Sequence, residues 1–419
     1  MDHFALRNGV LHAEDVPLPE IAEAVGTPVY VYSRATLTRH ARVFRDALSA
    51  LPKVHLAFAV KSNPNLAVLR VLGREGYGAD VVSEGEMDRA LAAGIAASDI
   101  VFSGVGKTRR ELHAACRAGI GQFNIESEEE GLELSRVAAG LGMRAPVALR
   151  VNPDVDAGTH SKISTGKADN KFGVPYHEAA GIFERLSALA SLDMRGLAVH
   201  IGSQITDLAP SRAAFEKMGA LMRELRGRGL SVTHMDLGGG LGVPYKSGEK
   251  LPGPAEYGAM VAEVTADWDA TIMFEPGRVI TGNSGVLVTE VVRVKPGAAC
   301  PFVVVDAAMN DLARPALYDA WHDFVAVRPS GERMTASVVG PICESSDTFA
   351  TARKIDAVAA GDLAVFRTAG AYGATMANTY NSRALVPEVM VDASRWAIVA
   401  NRIEPATILA AERVPEWLE

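Results

Sequence analysis

Cysteine is scarce in this chain: Cys116, Cys300 and Cys343 are the only three in 419 residues. An odd, widely spaced set supports neither a disulfide framework nor a zinc site, so no metal is expected and any sulfur chemistry would come from a single thiol. Long apolar runs are missing as well. Met1 to Glu20 mixes His, Arg, Glu and Asp with prolines. It has neither the apolar stretch of a signal peptide nor the length to cross a bilayer, so a cytoplasmic protein without membrane association is expected. Positive charge is also in deficit. A net charge of -8, a pI near 5.8 and no cluster of Lys and Arg argue against a nucleic-acid surface. Small molecules, or copies of the chain itself, remain as partners. No low-complexity linker interrupts the chain, so closely packed domains are expected.

What is present is enough apolar residue, 48% against 22% charged, to build two domains. From residue 54 onward, short β-branched runs alternate with amphipathic stretches of helix length. Strands are predicted at Val54–Val60, Ala79–Ser83, Ile100–Ser103, Gln122–Ile125, Pro146–Val151, Arg195–His200, Thr233–Leu237 and Thr271–Glu275. Helices are predicted at Asn65–Glu75, Gly85–Ala93, Arg109–Ala118, Glu128–Leu141 and Ser211–Arg228, where apolar residues recur every three or four positions. Eight strands with crossover helices in about 250 residues predict a TIM-like (β/α)8 barrel over residues 36–280, with an open doubly wound sheet as the alternative. After Arg278 the chain turns to strands separated by Pro, Gly and Asp: Val286–Val294, Phe302–Val305, Ala336–Val339, Leu363–Phe366 and Val386–Val391. A Greek-key-like β-barrel domain is predicted from residues 281–419 together with 1–35, taking in the early strand Val29–Tyr32.

In such barrels chemistry sits at the C-terminal ends of the strands. There the sequence places Lys61 after A-F-A-V, Asp80 in the second strand, His200 at the end of the sixth, Gly238-Gly239-Gly240 after the seventh and E-P-G-R at Glu275 to Arg278 after the eighth. Three glycines after a late strand let backbone N–H groups approach an anion, and the loops after strands seven and eight are the habitual phosphate site of this fold. A lysine amine in a phosphate-bearing, partly desolvated pocket has the surroundings for Schiff-base chemistry. A carbonyl cofactor with a phosphate handle, pyridoxal 5'-phosphate, fits. Glu275 would keep its pyridine nitrogen protonated and His200 would stack on its ring. Each residue also has a plainer reading: Lys61 reaching for solvent, His200 as a hydrogen-bonded core histidine, Glu275 paired with Arg278, Gly-Gly-Gly as a tight turn. Convergence at one end of one barrel favours the functional reading.

Longer stretches carry a resemblance: A-V-K-S-N (Ala59–Asn63), A-D-V-V-S (Ala79–Ser83), H-I-G-S-Q-I (His200–Ile205), G-G-G-L-G (Gly238–Gly242), E-P-G-R, R-P-A-L-Y (Arg314–Tyr318), C-E-S-S-D (Cys343–Asp347) and G-A-Y-G (Gly370–Gly373). In order and approximate spacing they resemble the fold-type III pyridoxal-phosphate-dependent decarboxylases over nearly the whole chain. Ser62 and Glu84 depart from that family's commonest residues, alanine and glycine, at positions without a chemical role.

The resemblance implies that Lys61 bonds the cofactor, His200 stacks on it and Glu275 holds the ring nitrogen. Ser203, Gly240, Gly277 and Arg278 would bind the phosphate, with Tyr372 closing that site. It further implies a small amino-acid substrate, meso-2,6-diaminopimelate, converted to L-lysine and CO2. Arg278, Arg314 and Tyr318 would grip the distal carboxylate, Glu344 would face the distal ammonium, and Cys343 would donate a proton. In such relatives Cys343 and Glu344 serve the neighbouring subunit, so a homodimer with shared active sites is expected. Gly158–Gly173, with His160, Lys162, Lys167 and Lys171, is expected to be a lid or a plain surface loop. Ornithine, arginine or carboxynorspermidine decarboxylation is the alternative within the class. An amino-acid racemase is the alternative outside it, and a non-catalytic homologue is disfavoured by the presence of Lys61, Glu275 and Cys343.

Overall fold

The computed structural model describes residues 2–158, 165–166 and 170–418. The chain separates into two units, one of Thr38–Pro244 with Lys250–Ile280, the other of Met1–Leu37, Tyr245–Glu249 and Thr281–Glu419.

The first unit is a closed barrel. Its strands are β1 (Val54–Ala59), β2 (Gly78–Val81), β3 (Ile100–Phe102), β4 (Gln122–Ile125), β5 (Ala145–Asn152), β6 (Leu192–Ala198), β7 (His234–Asp236) and β8 (Thr271–Phe274). Each pairs in parallel with the next, and β8 pairs in parallel with β1, so no edge is left open. The expected (β/α)8 barrel is the fold formed, and the β8–β1 pairing excludes the open sheet.

Local chemistry fixes where the connections turn. Ser83, Thr108 and Ser127 each accept a hydrogen bond from the backbone N–H three residues on, opening helices at Glu84–Ala92, Arg109–Ala118 and Glu128–Gly140. Asn65 does the same for Ala67 at the head of Leu66–Arg74. Each such cap is worth about 1 kcal/mol. The caps stand at the C-terminal ends of β1 to β4, which is the face where the candidate residues gather. Cys116 is buried on Arg109–Ala118 with Leu112 and Ala115, and burial pushes its thiol up to about 11, so it behaves as a small apolar residue.

The second unit is built on a nine-stranded sheet. Val29–Ser33 lies in it between Gly285–Lys295, which it pairs antiparallel, and Glu388–Asp392, which it pairs in parallel. Phe302–Val305 and Arg333–Val339 form a second parallel pair. The expected β domain, with its N-terminal strand, is formed; its sheet is mixed because that strand enters between partners that follow it by more than two hundred residues. Phe4, Leu11, Leu18 and Ile21 pack on Val29, Val31, Val286, Val288, Val365, Val389 and Val391 to make its core. A small sheet, Phe4–Arg7, Val10–Ala13 and Val16–Pro17, and the helix Leu18–Val25 supply the covering residues. None of these elements is among those predicted from the sequence. The signal was Asn8-Gly9, both at positive φ, closing a two-residue hairpin in which Arg7 pairs with Val10.

Of the expected lid, His160, Lys162 and Lys167 lie outside the described residues. Lys171 is described, with its ammonium 5.3 Å from the centre of the Phe172 ring.

Candidate active site

β1 ends at Ala59, and Lys61 sits in a single 3-10 turn, Val60–Ser62, just beyond the strand end. The Ser62 hydroxyl donates to the Ala59 carbonyl at 2.8 Å, so this departure from the family pattern stabilises the turn. Val60 and Ser62 are buried, and Lys61 is turned toward Asp80 with its side chain only 34% exposed. Its Nζ donates to Asp80 Oδ2 at 2.8 Å. Asp80, on β2, is fully buried and its Oδ1 has no hydrogen-bond partner among the described residues. A lysine held this way is not reaching for solvent. Glu86, on the following helix, accepts from the Val82 N–H at 2.8 Å; burial pushes its carboxyl up to about 6, Asp80 adding and Lys61 opposing.

Glu275 follows β8, the strand beside β1. Its N–H donates to the Gly238 carbonyl at 2.8 Å, and its Oε1 accepts from Asn124 Nδ2 at 3.2 Å and from the Ser103 hydroxyl at 3.4 Å. Asp236 ends β7, with Oδ2 accepting from the same Asn124 Nδ2 at 2.8 Å and Oδ1 from the Gly238 N–H at 2.9 Å. Burial holds Glu275 well above the usual carboxylate range, reinforced by the negative charges of Asp236 and Asp80 and opposed by Lys61. Asp236 is raised too, chiefly by burial. Two facing buried carboxyls do not both ionise, so the pair holds a proton.

His200 lies two residues past β6. Its Nδ1 accepts from the Gly239 N–H at 3.2 Å, which places the ring proton on Nε2. Burial, then Arg150 and Lys61, hold it well below its ordinary value, so the ring is neutral. The glycines at 239 and 240 are demanded by close approach: a Cβ at Gly239 would stand 2.1 Å from the Glu275 carbonyl oxygen, and one at Gly240 2.3 Å from that of Gly202. Gly240 also has φ +110, which L side chains rarely adopt. Arg278, buried at the end of the E-P-G-R stretch, donates from Nη2 to Ser203 Oγ at 2.9 Å. Of the expected barrel residues, the structure therefore brings Lys61 to Asp80, and Ser203 to Arg278, and it sets His200 and Glu275 on one small cavity with Ser103, Asn124, Arg150 and Asp236.

Ser103, Asn124, Arg150 and Asp236 are not among the residues expected from the sequence. Asp236 precedes the glycines in M-D-L-G-G-G, and Asn124 and Arg150 each stand between apolar neighbours in their strands, but the sequence does not show which side of the barrel such residues face. Arg150 is held by Glu126, Nη1 to Oε1 at 2.9 Å, and lies 4.9 Å over the Phe172 ring.

The remaining expected residues belong to the other unit. Arg314 opens the short helix Arg314–Tyr318, buried, with Nη1 2.9 Å from His322 Nε2 and its guanidinium 4.4 Å over Tyr245. His322 Nδ1 donates to the Arg367 carbonyl, leaving Nε2 as the acceptor for Arg314. Tyr318 is half-buried, and Tyr372 is half-buried with φ +55, a strained conformation for a bulky residue. Cys343 is exposed, its N–H donating to Asn381 Oδ1 at 3.1 Å. Glu344 is exposed and accepts from Ser346 and, at 2.8 Å, from the Tyr380 hydroxyl; these two bonds hold it below the usual carboxylate range.

The barrel residues fit pyridoxal 5'-phosphate. A primary amine at the mouth, a flat neutral imidazole, a buried proton-carrying carboxyl and a glycine cradle beside Ser203 and Arg278 match its aldehyde, ring face, ring nitrogen and phosphate. The unpartnered Asp80 oxygen beside Lys61 leaves room for one more donor. The comparisons agree on the class: residues 35–282 match the pyridoxal binding domain of the pyridoxal-dependent decarboxylases.

Within that class the chain belongs to the diaminopimelate decarboxylase family of carboxy-lyases. It is 51% identical to diaminopimelate decarboxylase of Zymomonas mobilis, over 99% of both chains. A crystal structure of the M. jannaschii enzyme in complex with L-lysine superposes with a TM-score of 0.96 at 32% identity, covering 100% of this chain and 99% of that one. The Helicobacter pylori enzyme, also with L-lysine, gives 0.91 at 37% identity over 94% and 98%.

Proposed function

We propose that the chain removes one carboxylate from meso-2,6-diaminopimelate, leaving L-lysine and CO2, with the residues of the barrel mouth holding pyridoxal phosphate. The observation that carries this reading is the barrel mouth itself, where Lys61 lies against Asp80 and where Glu275, held well above the usual carboxylate range, and His200, held well below its ordinary value, line one cavity. L-lysine in two related enzymes supports the choice of product.

Pyridoxal phosphate, when bound, supplies an aldehyde for the amine of Lys61 or of substrate and a ring able to take up the electron pair left at the substrate α-carbon. Lys61 would hold the aldehyde through its amine, and Asp80 Oδ2, which accepts from Nζ at 2.8 Å, would keep that amine in place when it is not bonded to the cofactor. Neutral His200 would lie against the ring without competing for its charge, and Glu275 would keep a proton at the ring nitrogen. Gly240, Gly277, Ser203 and Arg278 take the phosphate, with Tyr372 completing that site. Arg278, Arg314 and Tyr318 take the distal carboxylate, since guanidinium groups bind carboxylates through parallel hydrogen bonds and lose that partner when the substrate lacks it. Glu344, kept ionised by Ser346 and Tyr380, suits a distal ammonium. As the bond from the α-carbon to the carboxylate carbon breaks, CO2 leaves and the Cys343 thiol gives its proton to the α-carbon. The exposure of Cys343 and Glu344 supports the further reading that they serve a second copy of the chain.

The test is product analysis after incubation with pyridoxal phosphate and, in parallel, meso-diaminopimelate, ornithine, arginine and carboxynorspermidine. Lysine and CO2 from the first alone are expected. Turnover of another substrate instead overturns the assignment of the distal pocket, and no turnover of any overturns the decarboxylase reading.

A further inference from the structure

Asp236 has no part in the roles above, yet its carboxyl is bonded both to the glycine cradle and to the amide that it shares with Glu275. It is 2% exposed. Its Oδ1 takes the N–H of Gly238, the first glycine of the cradle, while the carbonyl of that glycine takes the N–H of Glu275. Its Oδ2 shares the Asn124 amide with Glu275 Oε1, at 2.8 and 3.2 Å. One amide bridging two carboxyls fixes their separation, and one glycine fixes both backbones.

We propose that Asp236 is the positioning residue that keeps a proton on Glu275, so that Glu275 meets the ring nitrogen of a pyridine cofactor as a donor. This rests on the cofactor reading above. In the transfer the O–H bond of Glu275 breaks and an N–H bond forms at the ring nitrogen. Glu275 is left as a carboxylate accepting from that N–H, and no proton is drawn from solvent.

The groups facing Glu275 support this. Asp236 on β7 and Asp80 on β2 are negative, Lys61 after β1 is positive, and Ser103 just after β3 and Asn124 on β4 are neutral donors. Arg150 on β5 and neutral His200 after β6 line the same cavity, with the Arg150 guanidinium committed to Glu126. After burial, Asp236 makes the largest contribution to holding the Glu275 proton, and the hydrogen bond between the two carboxyls acts in the same direction. A purely structural Asp236 would serve only to anchor the Gly238 turn. An asparagine or serine oxygen would do that as well, so replacing the charge separates the two roles.

The experiment is infrared difference spectroscopy of the full chain, freed of cofactor and then mixed with pyridoxal phosphate at neutral pH. The wild type is expected to show the carbonyl stretch of a buried protonated carboxylic acid that disappears on binding. Glu275→Gln, which assigns the band, is expected to lack it. In cofactor-free Asp236→Asn, and in Asp236→Ser should the first variant fail to fold, the band is expected to titrate away at a pH lower by about one unit or more. Absence of the band in the wild type, or an unchanged titration in either folded variant, overturns the proposal. If pyridoxal phosphate does not bind, the cofactor reading fails by itself, and the infrared band with it loses its function as a donor to the ring; band titration without cofactor still reports whether Asp236 holds the proton.

Discussion

Glu275 in the barrel unit and Glu344 in the β unit are both assigned to one reaction, yet their surroundings are opposite. Glu275 is buried beside two other carboxyls and is pushed well above the usual range; Glu344 is exposed, takes two hydroxyl donors and is held below it. The same contrast separates Lys61, locked on buried Asp80, from Cys343, open to solvent. The barrel thus desolvates and hydrogen-bonds the groups it holds protonated or neutral, Glu275 and His200. In the β unit Cys343 and Glu344 face outward, and Glu344 is held charged by its two hydroxyl donors, a state that costs little in water and suits a residue meant for a ligand.

The sharpest way to break this contrast is Lys61→Ala. Loss of the cofactor-bonding amine is expected to lower turnover by at least about 10³-fold and to abolish the visible absorbance of bound cofactor. Retention of either would place the chemistry elsewhere. Cys343→Ala is expected to lower kcat by about 10²- to 10⁴-fold while leaving that absorbance in place, since only a proton donor is removed. Mixing the two inactive proteins under subunit exchange is expected to restore about a quarter of wild-type activity. Half of a random mixture is heterodimer, and each heterodimer regains one of its two sites. Heterodimers without activity would assign Cys343 to its own chain.

Gly240→Ala probes the barrel half more gently. The added Cβ meets the Gly202 carbonyl oxygen at a positive φ, so a loss of about 1–3 kcal/mol in stability and weaker phosphate binding are expected, read by thermal melting and by cofactor titration.

The smallest effect concerns pH. Asp311, buried in the β unit, is pushed from 3.8 up to about 6 by burial, its Ala308 N–H bond and Arg383 opposing. The folded state therefore binds its proton more tightly than the unfolded state. Its contribution to stability is fully present below 3.8 and is lost as pH rises through about 6, an effect of at most about 3 kcal/mol. Asp311→Asn is expected to flatten the melting temperature across that window. Glu86→Gln in the barrel is expected to act in the same direction over the narrower range from 4.5 to about 6.

Much of the barrel was legible because its signals are local. A run such as Leu56–Ala59 followed by a capped amphipathic helix specifies a βα unit whatever surrounds it, and eight repeats leave few ways to close. Lys61, His200, Glu275 and the glycines were legible because residues at strand ends share one face. Asp236 and Asn124 were not, since a polar residue within a short strand looks the same whether it faces a helix layer or the barrel axis. The hairpin at Asn8-Gly9 was legible and overlooked. The parallel placement of Val29–Ser33 could not be read, because the partner of a strand is set by which distant edge is free.

By itself, then, the sequence determined the repeating βα units, the ring of candidate residues at their ends and the family motifs, all of which rest on neighbours a few residues apart. Only the tertiary structure decided that Lys61 pairs with Asp80, that Asp236 and Glu275 share Asn124, that His200 accepts from Gly239 and that the β unit is a mixed sheet. Those outcomes depend on burial and on contacts between segments far apart in the chain, and burial is what turns an ordinary carboxyl or imidazole into one held protonated or neutral.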